Sequence, residues 1–154
     1  MPARPDDALK LSHQLCFAIY SAGHAFNRAY KPLLEALGLT YPQYLAMLVL
    51  WEADDRTVGE IGERLLLDSS TLTPLLKRLE AAGHVVRTRD PADERQVRIR
   101  LTPAGLALKE KAKGVPPAIA GAAGLSGPEI QKLKSAVVAL RDALAAAEPS
   151  PTPG

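Results

Sequence analysis

Between Thr57 and Leu101 the chain sets two short capped helices directly ahead of two alternating segments, and few folds accept that order. Thr57 precedes Val58, Ile61 and Leu65, with Glu60 three residues on, which is the pattern of a capping box. Asp68 then caps a helix through Glu80 that stops at Gly83, with Leu72, Leu75, Leu76 and Leu79 on its buried face. Pro74 removes a backbone donor inside that pattern, so an irregular first turn is expected. Val85–Arg89 and Gln96–Leu101 both alternate as strands do, and Asp90-Pro91-Ala92-Asp93-Glu94-Arg95 between them makes a charged hairpin tip.

Helical stripes flank this segment. Apolar residues recur from Asp7 to Leu37 (Leu11, Leu15, Ala18, Ile19, Ala22, Phe26), which predicts one long first helix with a kink or break near Tyr30-Lys31 ahead of Pro32 and a stop at Gly38. Thr40 is placed to cap a second helix, whose run Tyr44–Trp51 is apolar enough to be buried. Thr102-Pro103 opens a further helix through Lys111, while Gly114–Gly124, with Pro116-Pro117, reads as a small-residue connection. Ser126 and Glu129 open a last helix, Pro128–Ala147, striped by Ile130, Leu133, Val137, Leu140 and Leu144. The tail from Glu148 to Gly154 is expected to be disordered.

The expected fold class is mainly α with a small β-hairpin wing, a winged helix-turn-helix whose second short helix would enter a DNA major groove. A length of 154 residues with 47% hydrophobic content suits one domain. Residues 41–114 would form the winged region and its connecting helix, and residues 6–38 and 115–147 dimerisation helices. The N-terminus has no apolar core of signal-peptide length and no stretch is long enough to span a membrane, so a cytoplasmic protein is expected, with no membrane partner.

Net charge is only +2, from 19 basic and 17 acidic residues, so a basic surface has to come from clustering. Clustering is present where the fold needs it. Ser69, Ser70, Thr71 and Thr73 crowd the start of the second short helix, where hydroxyls and free amides can bond phosphate oxygens, and Lys77 and Arg78 follow about one turn on. Five arginines, Arg87, Arg89, Arg95, Arg98 and Arg100, face three acids, Asp90, Asp93 and Glu94. Arg95 at the hairpin tip suits insertion into a narrow minor groove, with Asp93 either holding the guanidinium or serving as an ordinary turn residue.

Cys16 is the single cysteine and can form no intrachain disulfide. Free cysteine is commonly a small apolar filler, and periodicity alone favours that role over a reactive one. A reactive thiol needs donors or positive charge nearby, because the thiolate is the attacking species and burial disfavours it. All four tyrosines, Tyr20, Tyr30, Tyr41 and Tyr44, fall in the first 44 residues, and Tyr20 shares a helix face with Cys16. His13, His24 and His84 are too dispersed for a metal site, Trp51 reads as core, and no cofactor is expected.

The run from Asp68 to Gly83, then Asp93-Glu94-Arg95 and Leu101-Thr102-Pro103-Ala104-Gly105, resembles the MarR family of bacterial winged-helix regulators. Gln14–Tyr20, Tyr30-Lys31-Pro32-Leu33 and Leu39–Tyr44 are similar to its organic-hydroperoxide-sensing OhrR branch. The resemblance implies a non-enzymatic homodimeric repressor with intertwined terminal helices, bound to a pseudo-palindromic double-stranded operator. It implies that organic hydroperoxides oxidise Cys16, and that Tyr30 and Tyr41 bond its sulfur from across the dimer, with Tyr20 nearby. Two-cysteine members resolve the sulfenic acid with a second cysteine. Gly121-Ala122-Ala123 in the corresponding region offers none, so a low-molecular-weight thiol becomes the expected resolving partner. Two alternatives are a regulator released by a small molecule in the dimer cleft, with Cys16 inert, and a one-cysteine thiol peroxidase. The latter leaves the helix-turn-helix without purpose.

Overall fold

The computed structural model describes residues 4–148. Residues 1–3, and the expected disordered tail beyond Glu148, lie outside that range. The chain divides into two compact units, Met1–Val115 and Pro116–Gly154.

The first unit opens differently from the expected continuous helix. Pro5–Leu9 and Leu11–His13 are 3-10 turns, and the regular helix α1 runs only from Leu15 to Glu35. Lys10 and Gln14 are extended, and the Gln14 amide donates to the carbonyls of Ala8 and Lys10 at 2.6 and 2.9 Å. Side-chain bonds of this kind offer the backbone an alternative to the helix. Pro32, by contrast, does not break α1; Leu34, two residues on, is buried and anchors the helix end. Gly38 at φ +68 ends the segment, where a left-handed residue closes the helix and Leu39 N–H returns to the Leu34 carbonyl at 3.0 Å.

Helix α2 (Tyr41–Glu52) starts at a full capping box between Thr40 and Gln43, and six of its residues are buried. The two-residue strand β1 (Arg56–Thr57) follows, then α3 (Val58–Leu65), opened by the Thr57–Glu60 capping box. Helix α4 (Ser69–Ala81) is capped by Asp68 and is continuous through Pro74, so the irregular first turn expected there does not occur. Leu72, Leu76 and Leu79 of α4 are fully buried with Met47, Leu50, Ile61, Val85 and Ile99, and this core fixes α4 on α2 and α3.

Strands β2 (Val85–Arg89) and β3 (Val97–Leu101) form the expected hairpin, with Arg87 opposite Ile99. Sequence alternation missed β1, which pairs antiparallel with β3 (Arg56 opposite Ile99), giving a three-stranded sheet of order β1-β3-β2. The wing is thereby tied to the start of α3. Helix α5 (Pro103–Ala112) opens at the Thr102 cap. Gly105 packs so closely on the His84 carbonyl that any Cβ there would overlap backbone. Trp51 is core, as expected, and its Nε1 donates to the Gly105 carbonyl at 2.9 Å.

Residues 114–124, expected to be a connection, are instead mostly helix: α6 covers Val115–Ala123. Pro116 and Pro117 sit in its first turn, where the missing N–H groups have no intrahelical acceptor anyway, and alanines continue it. Helix α7 (Gly127–Ala146) begins at the Ser126–Glu129 capping box and carries exposed Leu133, Val137 and Leu144. Among the described residues no helix is long and apolar enough to cross a membrane.

Candidate nucleic-acid interface and thiol site

The Asp68 cap does two jobs at the start of α4. Its Oδ1 accepts from the Thr71 amide at 2.8 Å and from the Ser70 hydroxyl at 2.7 Å, so Ser70 is engaged in shaping the turn. These bonds, Ser70 first, hold the Asp68 carboxyl below the ordinary carboxylate range. Ser69 and Thr73 instead line a groove of about 370 Å³ shared with Arg87, Arg95 and Gln96 of the wing. Lys77 and Arg78 are exposed further along the same helix.

The five wing arginines do not act as one basic cluster. Arg98 reaches Asp55 at 2.8 Å and Asp90 at 2.9 Å, and Arg100 reaches Asp55 at 3.1 Å. Arg87 is half-buried in the groove wall: its amide donates to Glu80 at 2.8 Å, one guanidinium nitrogen lies 3.9 Å from the same carboxylate, and its buried Nε has no partner within the described residues. Arg89 donates to the Glu94 carbonyl at 2.8 Å and remains exposed. Arg95 is paired with Asp93 at 3.1 Å but stays 91% exposed. The expectation of broad local basicity is thus narrowed to Arg89 and Arg95 at the tip, with Arg87 facing the groove. The groove and tip together offer hydroxyls and guanidinium groups to anionic oxygens approaching from outside.

Sequence reasoning read Asp54-Asp55-Arg56 only as a polar turn and missed its pairing with the wing. The available signal was strand alternation: Arg98 and Arg100 share one face of β3, opposite buried Ile99.

At the other end of the unit, Cys16 lies in the second position of α1 and is exposed, so it does not serve as a core filler within this chain. Leu15, Phe17, Ile19 and Tyr20 around it are exposed apolar residues, with Tyr20 set edge-on to His24 at 4.5 Å between ring centroids. Tyr30 lies fourteen positions further along α1, about 21 Å away at the helical rise. It packs on Tyr41, with centroids 4.9 Å apart, and on Tyr44 at 5.9 Å, a third ring that the family resemblance did not single out. Burial raises the Tyr30, Tyr41 and Tyr44 phenols above their ordinary value, and their mutual proximity adds to this for Tyr30 and Tyr44. All three are therefore protonated donors at neutral pH.

A helix pair whose second member lines an open groove, backed by a three-stranded wing, defines a winged-helix transcriptional regulator. Residues 28–112 match the family model for the transcriptional regulator SarA/Rot. The HTH-type transcriptional regulator TtmR of Methylorubrum extorquens is 55% identical over 90% of this chain and 71% of its own length. The organic hydroperoxide resistance transcriptional regulator of Bacillus subtilis is 49% identical over 90% of this chain and 94% of its own. Among solved structures, reduced AbfR of Staphylococcus epidermidis bound to DNA superposes with a TM-score of 0.77 at 38% identity, covering 92% of this chain and 97% of that one. The chain belongs to the MarR family of winged-helix transcriptional regulators, in its organic-hydroperoxide-resistance branch.

Proposed function

We propose that this protein is a homodimeric, DNA-binding repressor that releases its operator when an organic hydroperoxide oxidises Cys16. The observation that carries the reading is the separation within α1: the thiol and the Tyr30–Tyr41 pair stand at opposite ends of one helix. A single chain cannot join them, and a two-fold antiparallel pairing of α1 with a second copy brings each thiol to the partner's phenols. Exposed Leu9, Leu11, Leu15, Phe17 and Ile19 at the N-terminal end supply the apolar surface that such a pairing covers. Exposed Leu133, Val137 and Leu144 supply more on α7.

On DNA, α4 enters the major groove with Ser69, Thr71, Thr73, Lys77 and Arg78, while Arg95 reaches the adjacent minor groove and Arg89 the flanking backbone. Arg87 faces the shared groove with Ser69 and Thr73, a setting for a backbone phosphate.

The redox step balances without a cofactor. The Cys16 thiolate attacks the distal peroxide oxygen, the O–O bond breaks, and the leaving alkoxide takes a proton to become an alcohol, while sulfur is oxidised by two electrons to sulfenate. A low-molecular-weight thiol then condenses with the sulfenic acid, forming a mixed disulfide and water. The added bulk displaces the tyrosines and the packed apolar residues around them, which shifts the two α4 helices out of register with successive major grooves.

The test is operator binding by wild type and Cys16→Ser, with and without an organic hydroperoxide, on a duplex selected from genomic DNA by the reduced protein. Wild type is expected to dissociate on treatment and Cys16→Ser to stay bound. Release of Cys16→Ser by peroxide sinks the sensing reading. Release by a small phenolic compound, with peroxide inert, supports the cleft-ligand alternative instead.

A further inference from the structure

Arg98 is the most heavily engaged side chain of the wing, and it serves two different segments. Its Nε donates to Asp55 Oδ1 at 2.8 Å, its Nη2 to the Asp55 carbonyl at 2.9 Å, and its Nη1 to Asp90 Oδ2 at 2.9 Å. Asp55 belongs to the turn that leads into β1 and α3, and it holds a left-handed backbone at φ +58, a strained setting for a non-glycine residue. The turn is clipped to β3 a second time, since Asp54 Oδ1 accepts from the Leu101 amide at 2.9 Å and from the Asp55 amide at 2.7 Å.

Asp90, on the other side, is the first residue of the wing tip. Its Oδ1 accepts from the Ala92 amide at 2.8 Å, and its own amide donates to the Gln96 carbonyl at 2.9 Å, so it closes the base of the loop that carries Asp93 and Arg95. A continuous chain of bonds runs from the entry of α3 through Arg98 to the tip. Only a guanidinium has the planar fork to reach a carboxylate and a carbonyl on one side and a second carboxylate on the other. With its side chain only 25% exposed and three donors committed, Arg98 has little left for an outside ligand.

We propose that Arg98 is a positioning residue for operator binding: it makes no DNA contact, and by bridging Asp55 and Asp90 it sets where the wing tip holds Arg95 relative to α4. The inference rests on the proposed DNA reading, and its test separates the two. Affinity for the selected duplex is measured across a salt series for wild type, Arg95→Ala, Arg98→Gln, Arg98→Lys and the double variant Arg95→Ala/Arg98→Gln, each with its Tm.

Loss of one groove contact in Arg95→Ala is expected to weaken binding about tenfold and to lower the salt slope by about one. Arg98→Gln is expected to give a similar loss, and the double variant to bind no worse than Arg95→Ala, because the tip that Arg98 holds has nothing left to deliver. Arg98→Lys keeps the charge without the fork and is expected to behave as Arg98→Gln, which also covers the case in which the glutamine variant fails to fold. Additive losses in the double variant, a salt slope reduced by about two, or full restoration by Arg98→Lys each overturn the proposal. A wild-type protein with no salt-dependent duplex binding overturns the DNA reading itself.

Discussion

Asp93 holds Arg95 by its backbone and its side chain at once: Oδ1 lies 3.1 Å from both the Arg95 amide and its Nε, and Oδ2 lies 3.4 Å from Nη2. An exposed pair of this kind adds little to stability, so its effect is directional: it holds the guanidinium in one of the many orientations open to a free arginine.

Asp93→Ala therefore separates charge from geometry. Removing an acid from a DNA-facing loop raises affinity if charges merely add, whereas loss of the orienting partner lowers it. We expect several-fold weaker operator binding with Tm within about 1 °C of wild type, a change within the range of an ordinary surface substitution. Tighter binding of Asp93→Ala in fluorescence anisotropy would rule out the orienting role.

Tyr30→Phe and Tyr41→Phe each remove one protonated donor and leave the ring in place. Both are expected to slow sulfenate formation on Cys16 at neutral pH, followed with a dimedone-type probe, while operator binding by the reduced protein is retained. Wild-type oxidation rates in both variants would place the thiolate partners elsewhere.

Gly105→Ala tests how tightly α5 seats on the wing. An added Cβ meets the His84 carbonyl, which also accepts the Thr102 amide at 3.0 Å and cannot withdraw without breaking that bond. Destabilisation of at least about 2 kcal/mol is expected in urea unfolding, the scale of overpacking against fixed backbone.

Acid should loosen the wing. The Ala92 amide and then Arg98 hold the Asp90 carboxyl below the ordinary range, and Arg98 and then Arg100 do the same for Asp55. A depressed folded-state pKa contributes stability that is fully present above the unfolded value of about 3.9 and is lost as pH falls through the folded value. Tm is therefore expected to fall below about pH 4, and to fall less steeply in Asp90→Asn. An identical acid profile in the two proteins would show that the Asp90 carboxylate is not a source of that loss.

What was legible in the sequence followed from local chemistry. Thr57 with Glu60, Asp68, Thr102 before Pro103, and Ser126 with Glu129 each start a helix because the cap oxygen and the backbone amide that donates to it lie only three residues apart. The hairpin was legible for the same reason, since alternation within five residues identifies a strand. β1 was not, because two residues carry no period and become a strand only by pairing with β3. The Arg98–Asp55 bridge joins residues 43 positions apart, beyond any local pattern. The start of α1 was misplaced because exposed leucines mimic a buried stripe, and no count of apolar residues reveals that Gln14 bonds back to Ala8 and Lys10. Of the candidate sensor groups, sequence clustering placed all four tyrosines in the first 44 residues and the family resemblance singled out Tyr30 and Tyr41, but that the Tyr44 ring also joins Tyr30 is set by the packing of α2 on α1.

The length of helix between Cys16 and Tyr30 also bears on dosage. Under the proposed pairing, an isolated subunit carries a thiol with Tyr20 on its own helix face but without the Tyr30 and Tyr41 phenols. Alertness to peroxide is then acquired on assembly, and the dimer dissociation constant sets the cellular copy number below which the protein is present but unresponsive. Dilution and mutation of Tyr30 would leave the thiol in the same chemical state.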